Sequence, residues 1–171
     1  TIFGFDSLKE GTREWGYTPK KDEVIVSRVA LEMFSRDEFS SAVWNKVFPK
    51  EIFDKLLFQE DVYYEDLAFM PFALQEVRQV SFVHRNLVDY CLDGTSITRQ
   101  KTCVKHINDA FSVLELILYA EFTTEIKTNF YYDRLSYFLK KWELSDALSE
   151  ILMNKIEQNF DKYEFLGDKD R

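Results

Sequence analysis

The sequence predicts a mixed α/β fold, rich in helix, and three observations carry that prediction. A β-rich run from Val80 to Tyr90 holds Val80, Phe82, Val83, Leu87 and Val88, and an alternating run spans Ser41 to Phe48. Beyond Gly94 the pattern changes to a 3.6-residue period, with Val104, Ile107, Phe111, Leu114 and Leu118 on one stripe. Only 5 Gly and 3 Pro occur in 171 residues that are 16% aromatic, which argues against disorder and linker-rich arrays and for about one packed domain. The expected organisation is an α/β piece over residues 1–102, followed by a C-terminal antiparallel helical region over residues 103–171.

Each element has its own signal. Residues 1–22 mix Gly4, Gly11, Gly16 and Pro19 with charges and read as an irregular lead-in. From Asp22 to Phe39, the apolar positions Val24, Ile25, Val26, Val29, Ala30, Met33 and Phe34 fit a strand followed by a helix, or one helix. Ser41–Phe48 reads as a short strand ended by Pro49. Lys50–Phe58 then reads as a turn or two of helix. After the acidic run Glu60–Asp66, Leu67, Met70, Leu74 and Val77 mark a second helix. Pro71 inside it predicts a kink, or a start later than Asp66. Val80–Tyr90 supplies one or two strands.

In the C-terminal region Thr124 reads as the cap of a helix bearing Ile126, Phe130, Leu135, Phe138 and Trp142. Ser145 reads as the cap of another, bearing Leu148, Ile151, Leu152 and Ile156. The end of the chain, Lys169–Arg171, is expected to fray.

Composition excludes several classes of function. The 22 Lys+Arg against 30 Asp+Glu give a net charge of −8, shared equally between the two regions, so neither is a basic patch for general nucleic-acid binding, while a local basic pocket for one nucleotide stays open. Cys91 and Cys103 form no C-x-x-C and have no zinc-like spacing to His84 or His106, which argues against a zinc site or a disulfide framework and for a reducing compartment. No apolar run is long enough to span a membrane, and no secretory leader opens the chain. The first residue is Thr1, as expected of a processed start or of a piece of a longer protein.

Two segments stand out as candidate chemistry. Glu60, Asp61, Glu65 and Asp66 crowd four carboxylates into seven residues with Tyr63 and Tyr64 between them, an arrangement that suits a general base. The bland alternative, favoured on spacing alone, is that Glu65 or Asp66 starts a helix and the rest is solvated. Trp44-Asn45-Lys46 offers a flat ring for a sugar, an amide and a point charge for a phosphate, against the simpler reading of a Trp anchoring a strand. The hydroxyls of Thr95–Thr98 fit a ligand-wrapping loop or an ordinary turn. His84 reads as structural, and the aromatic positions of the last helices read as core.

Taken in order, Trp44-Asn45-Lys46, Glu51-Ile52-Phe53, Tyr64-Glu65-Asp66, Phe69, Tyr90 and Ser96-Ile97-Thr98 resemble the second half of bacterial family-two glycosyltransferases of the surface-polysaccharide and capsule kind. The likeness runs over roughly residues 40–98 and rests on W-N-K followed at this distance by Y-E-D. It implies a GT-A fold, a nucleotide-sugar donor, a glycan or lipid-linked acceptor and inversion at the anomeric carbon. It also implies that Asp66 is the base, with Glu65 as its neighbour, and that Trp44, Asn45, Lys46, Ser96 and Thr98 lie on the substrate side.

The family's donor half, with its βαβ nucleotide site and D-x-D motif for Mg²⁺ or Mn²⁺, precedes W-N-K, and the residues ahead of Trp44 do not hold it. The one D-x-D, Asp168-Lys169-Asp170, lies on the other side, and the family's R-Q-R positions read Cys91-Leu92-Asp93. The expectation is therefore a metal-free acceptor-side portion of a longer cytoplasmic enzyme, working as far as the inner face of the membrane. The alternative is a non-catalytic α-rich module that binds a protein partner through its helical region.

Overall fold

The computed structural model describes residues 1–92 and 100–167. It is mixed α/β, with four strands in one sheet and five α-helices. Strand β1 (Ile2–Lys9) and strand β2 (Thr12–Tyr17) form an antiparallel hairpin, so the lead-in expected to be irregular is a pair of strands. The glycines that read as breakers do other work. Gly11 follows Glu10 in a two-residue turn where both have positive φ, 79° and 50°, the geometry that matches strand twist. Gly4 lies mid-strand because a Cβ there would come within 2.6 Å of the Tyr17 carbonyl.

Strand β3 (Glu23–Val26) leads directly into helix α1 (Ser27–Ser35), which settles the Asp22–Phe39 segment as strand then helix. Strand β4 (Gln79–Cys91) is a single strand of 13 residues. The sheet order is β2-β1-β4-β3, with β1 parallel to β4 and both outer pairs antiparallel.

Ser41–Phe48 is not a strand. The chain turns at Lys46 N–H to Val43 C=O, 3.2 Å, and its one bridge to the sheet, between Ile2 and Lys46, is isolated rather than part of a strand ladder. The alternation misleads here because Asn45 and Lys46 are both buried, whereas a half-buried strand would expose one of them. Lys50–Ile52 is one short 3₁₀ turn.

Helix α2 (Glu65–Gln75) begins at Glu65, not later than Asp66, and runs through Pro71. Tyr64, at φ 66° and ψ 30°, turns the chain into the helix, and the acids at its first two positions favour that end of the macrodipole. Seven of its eleven residues are buried, and this packing offsets the backbone bond that Pro71 cannot donate.

Helices α3 (Val104–Tyr119), α4 (Thr124–Lys141) and α5 (Asp146–Gly167) follow. The α3 stripe is buried as its spacing predicts, except for exposed Val104. The cap of α4 is Thr123, whose hydroxyl accepts from Ile126 N–H at 3.4 Å, and Thr124 is the first helical residue. Ser145 accepts from Leu148 N–H, as expected of a cap. One hydrophobic core joins sheet and helices through Ile2, Phe34, Phe82, Phe111, Phe130 and Phe138. A smaller cluster of Ile52, Phe69 and Ala73 lies beside Phe48 and Phe58.

Candidate functional site

The site begins with a buried lysine. Lys46 is 8% exposed, and its Nζ donates to Ser40 C=O at 2.7 Å, Ala42 C=O at 2.6 Å and Asn45 Oδ1 at 2.7 Å. Three acceptors match the three N–H bonds of an ammonium. Burial nevertheless pushes this group down to about 7, while the Asp66 carboxylate pulls it back upward. Asn45, fully buried, donates from Nδ2 to Phe3 C=O at 3.0 Å and accepts from Phe3 N–H at 3.2 Å through its backbone. Asn45 and Lys46 thus pin the 40–46 loop to β1. Trp44, beside them, is 39% exposed, with its ring stacked on Tyr90 at 4.9 Å.

Asp66 stands in the first turn of α2, half-buried. Its Oδ2 accepts from the Ser41 hydroxyl at 3.1 Å and its Oδ1 from Leu67 N–H at 2.6 Å. Each oxygen keeps a further lone pair, so the carboxylate can still take a proton or a donor hydrogen bond. Glu65 is exposed next to it. The preceding tyrosines are tied to the helical region. Trp142 Nε1 donates to Tyr64 Oη at 3.1 Å, and Asp109 accepts from Tyr63 N–H at 2.9 Å. Burial pushes the Tyr64 phenol up to about 12.

Helix α4 closes the group. Arg134 forms an ion pair with Asp37, donates to Phe34 C=O at 2.9 Å, and lies 4.9 Å and 5.6 Å from the Phe34 and Phe130 ring centres. Asp37 takes a left-handed turn at φ 56° on the way into the 40–46 loop. Burial pushes the Tyr137 phenol up, the Asp37 and Asp66 charges push the same way, and Arg134 opposes them. Lys46, Asp37, Asp66, Arg134 and Tyr137 therefore share one electrostatic neighbourhood.

The structure brings Lys46 and Asp66 into mutual influence, uses Asn45 as a brace, leaves Glu65 in solvent and turns Trp44 toward Tyr90. Ser96 and Thr98 lie outside the described residues, as do Asp168-Lys169-Asp170. Sequence reasoning missed Asp37, Ser41, Arg134 and Tyr137. No spacing could have found the Arg134–Asp37 pair, whose partners are 97 residues apart. His84 is structural in its contacts, with its backbone N–H donating to Asp22 Oδ1 at 2.7 Å.

Among the described residues no group of three His, Cys, Asp or Glu side chains converges to hold a metal ion. Cys91 and Cys103 are both free and exposed. Among the described residues no helix is long and apolar enough to cross a membrane. A separate apolar recess lies between Leu56, Leu57, Ala68, Phe69, Phe72 and Leu116. No protein family, curated protein or solved structure matches the chain.

Proposed function

We propose that this chain forms the acceptor side of an inverting glycosyltransferase. Asp66 takes the proton of an acceptor hydroxyl as that oxygen bonds to the anomeric carbon of a nucleotide sugar. The bond from that carbon to the diphosphate breaks, and the nucleoside diphosphate leaves with the electron pair. A hydroxyl is a poor nucleophile near neutral pH, so a carboxylate within hydrogen-bond reach supplies much of the rate. Glu65 orients the acceptor from solvent, and Asn45 and Lys46 hold the loop that carries Ser41 and Trp44. The donor, and any Mg²⁺ or Mn²⁺ bound with it, belongs to residues outside those described.

One observation carries the reading: the two segments of the resemblance meet in space, Ser41 of the W-N-K loop donating to Asp66 of Y-E-D at 3.1 Å. The test is transfer measured with a panel of nucleotide sugars and glycan or lipid-linked acceptors, on the intact protein. Asp66→Asn is expected to lower turnover by about 10²–10⁴-fold with donor affinity little changed. Near-normal turnover removes Asp66 from the mechanism.

A second reading has an observation of its own. Tyr119 at 72% exposure, Tyr132 at 53% and Met153 at 53%, one on each of α3, α4 and α5, are exposed apolar side chains of the kind a protein partner covers. Specific capture of a partner through these residues, with no transfer by the intact protein, favours a non-catalytic module.

A further inference from the structure

We infer that the aromatic face of the β2-β1-β4 sheet is a binding platform for the sugar rings of a neutral glycan chain. Strand register puts Phe5 opposite Tyr17 and Val88, and Ser7 opposite Trp15 and Tyr90, so all six share one face. The Trp44 ring lies over this face, stacked on Tyr90 at 4.9 Å with an interplanar angle of 2°. Trp44 and Trp15 meet Phe5 edge-on at 4.6 Å and 5.3 Å. Trp15 stays 54% exposed and Trp44 39%, although both rings are large enough to have been used in the core.

The polar groups of this face point to the class of ligand. Neither indole N–H has a protein acceptor among the described residues. Ser7 is fully buried between the flanking rings, and its hydroxyl has no hydrogen-bond partner. A buried hydroxyl without a partner is destabilising. A pyranose ring offers this face a flat C–H surface for the rings and a rim of oxygens for the two exposed indole N–H groups. The Arg13 guanidinium on β2 is already held by Asp6 at 2.7 Å, and the net charge of −8 opposes an anionic ligand. A neutral oligosaccharide fits both facts.

Trp44 belongs to the loop whose Ser41 donates to Asp66, so platform and carboxylate are joined by one short segment. The inference deepens the transferase reading by naming the acceptor as an extended neutral glycan. It rests on that reading for this assignment alone; binding at the rings stands or falls separately.

The experiment is a titration of isotope-labelled full chain with neutral hexasaccharides of glucose, galactose and N-acetylglucosamine, following the indole N–H signals. Saturable shifts of Trp15 and Trp44 are expected, stronger with a hexasaccharide than with its monosaccharide. Trp15→Ala and Tyr90→Ala are expected to weaken binding roughly tenfold or more. Ser7→Ala, beneath the rings and out of a ligand's reach, is expected to raise thermal stability and leave affinity unchanged.

The proposal is overturned by the absence of saturable shifts with every sugar, or by unchanged affinity in Trp15→Ala or Tyr90→Ala. Concentration-dependent self-association that buries the same rings also overturns it. Binding without transfer supports the platform while the transferase reading fails; transfer without binding at these rings does the reverse.

Discussion

Lys46 is the residue on which local stability and the candidate site both turn. Its ammonium satisfies the Ser40 and Ala42 backbone carbonyls and the Asn45 amide oxygen in the 40–46 loop. Lys46→Met keeps the bulk and orphans all three, so a loss of about 2–4 kcal/mol is expected in urea unfolding. The same residue sets a pH dependence. Its folded-state pKa, about 7, lies below its ordinary 10.5, so its contribution is present above about 10.5 and is lost as pH falls toward 7. Tyr17 and Tyr64, both raised to about 12 from 10.0, act oppositely and withdraw stability between 10 and 12. The urea midpoint should therefore rise from pH 7 to about 10 and fall above it, and Lys46→Met should flatten the rising limb.

At the scale of elements, the boundaries were set by caps and close approaches more than by apolar periodicity. Thr123 accepts from Ile126 N–H at the start of α4, satisfying a donor that the helix itself cannot. Thr123→Ala should cost about 1 kcal/mol, and Thr124→Ala far less, in thermal or urea unfolding. The stripes of α3, α4 and α5 were legible in the sequence because a helix repeats its buried face every 3.6 residues within one segment. The β1–β2 hairpin was not legible. Gly4 answers to the Tyr17 carbonyl and β2 is exposed at nearly every position, so neither strand shows a clean alternation. Ser41–Phe48 failed in the other direction, since its alternation belongs to a turn braced by two buried polar side chains.

Across the whole molecule, one core unites the sheet with the C-terminal helices. Phe34 of α1 is fully buried, 6.1 Å from Phe130 of α4 and beneath the Arg134 guanidinium. Phe34→Ala should cost about 3–5 kcal/mol. If sheet and helices share that core, far-UV and near-UV unfolding curves should shift together as one transition. Separate transitions would show that residues 1–102 and 103–171 fold apart.

The sequence by itself determined the mixed α/β class, the three C-terminal helices and the run of acids and rings around Asp66, because these signals lie within stretches of a few to twenty residues. It also carried the resemblance that gives Asp66 its proposed role. Only the tertiary structure decided that Ser41 reaches Asp66, that Arg134 reaches Asp37 and that Trp15, Trp44 and Tyr90 gather on one face of the sheet. Those contacts join segments far apart in the chain. Their partners are chosen by sheet register and core packing, which no local pattern encodes.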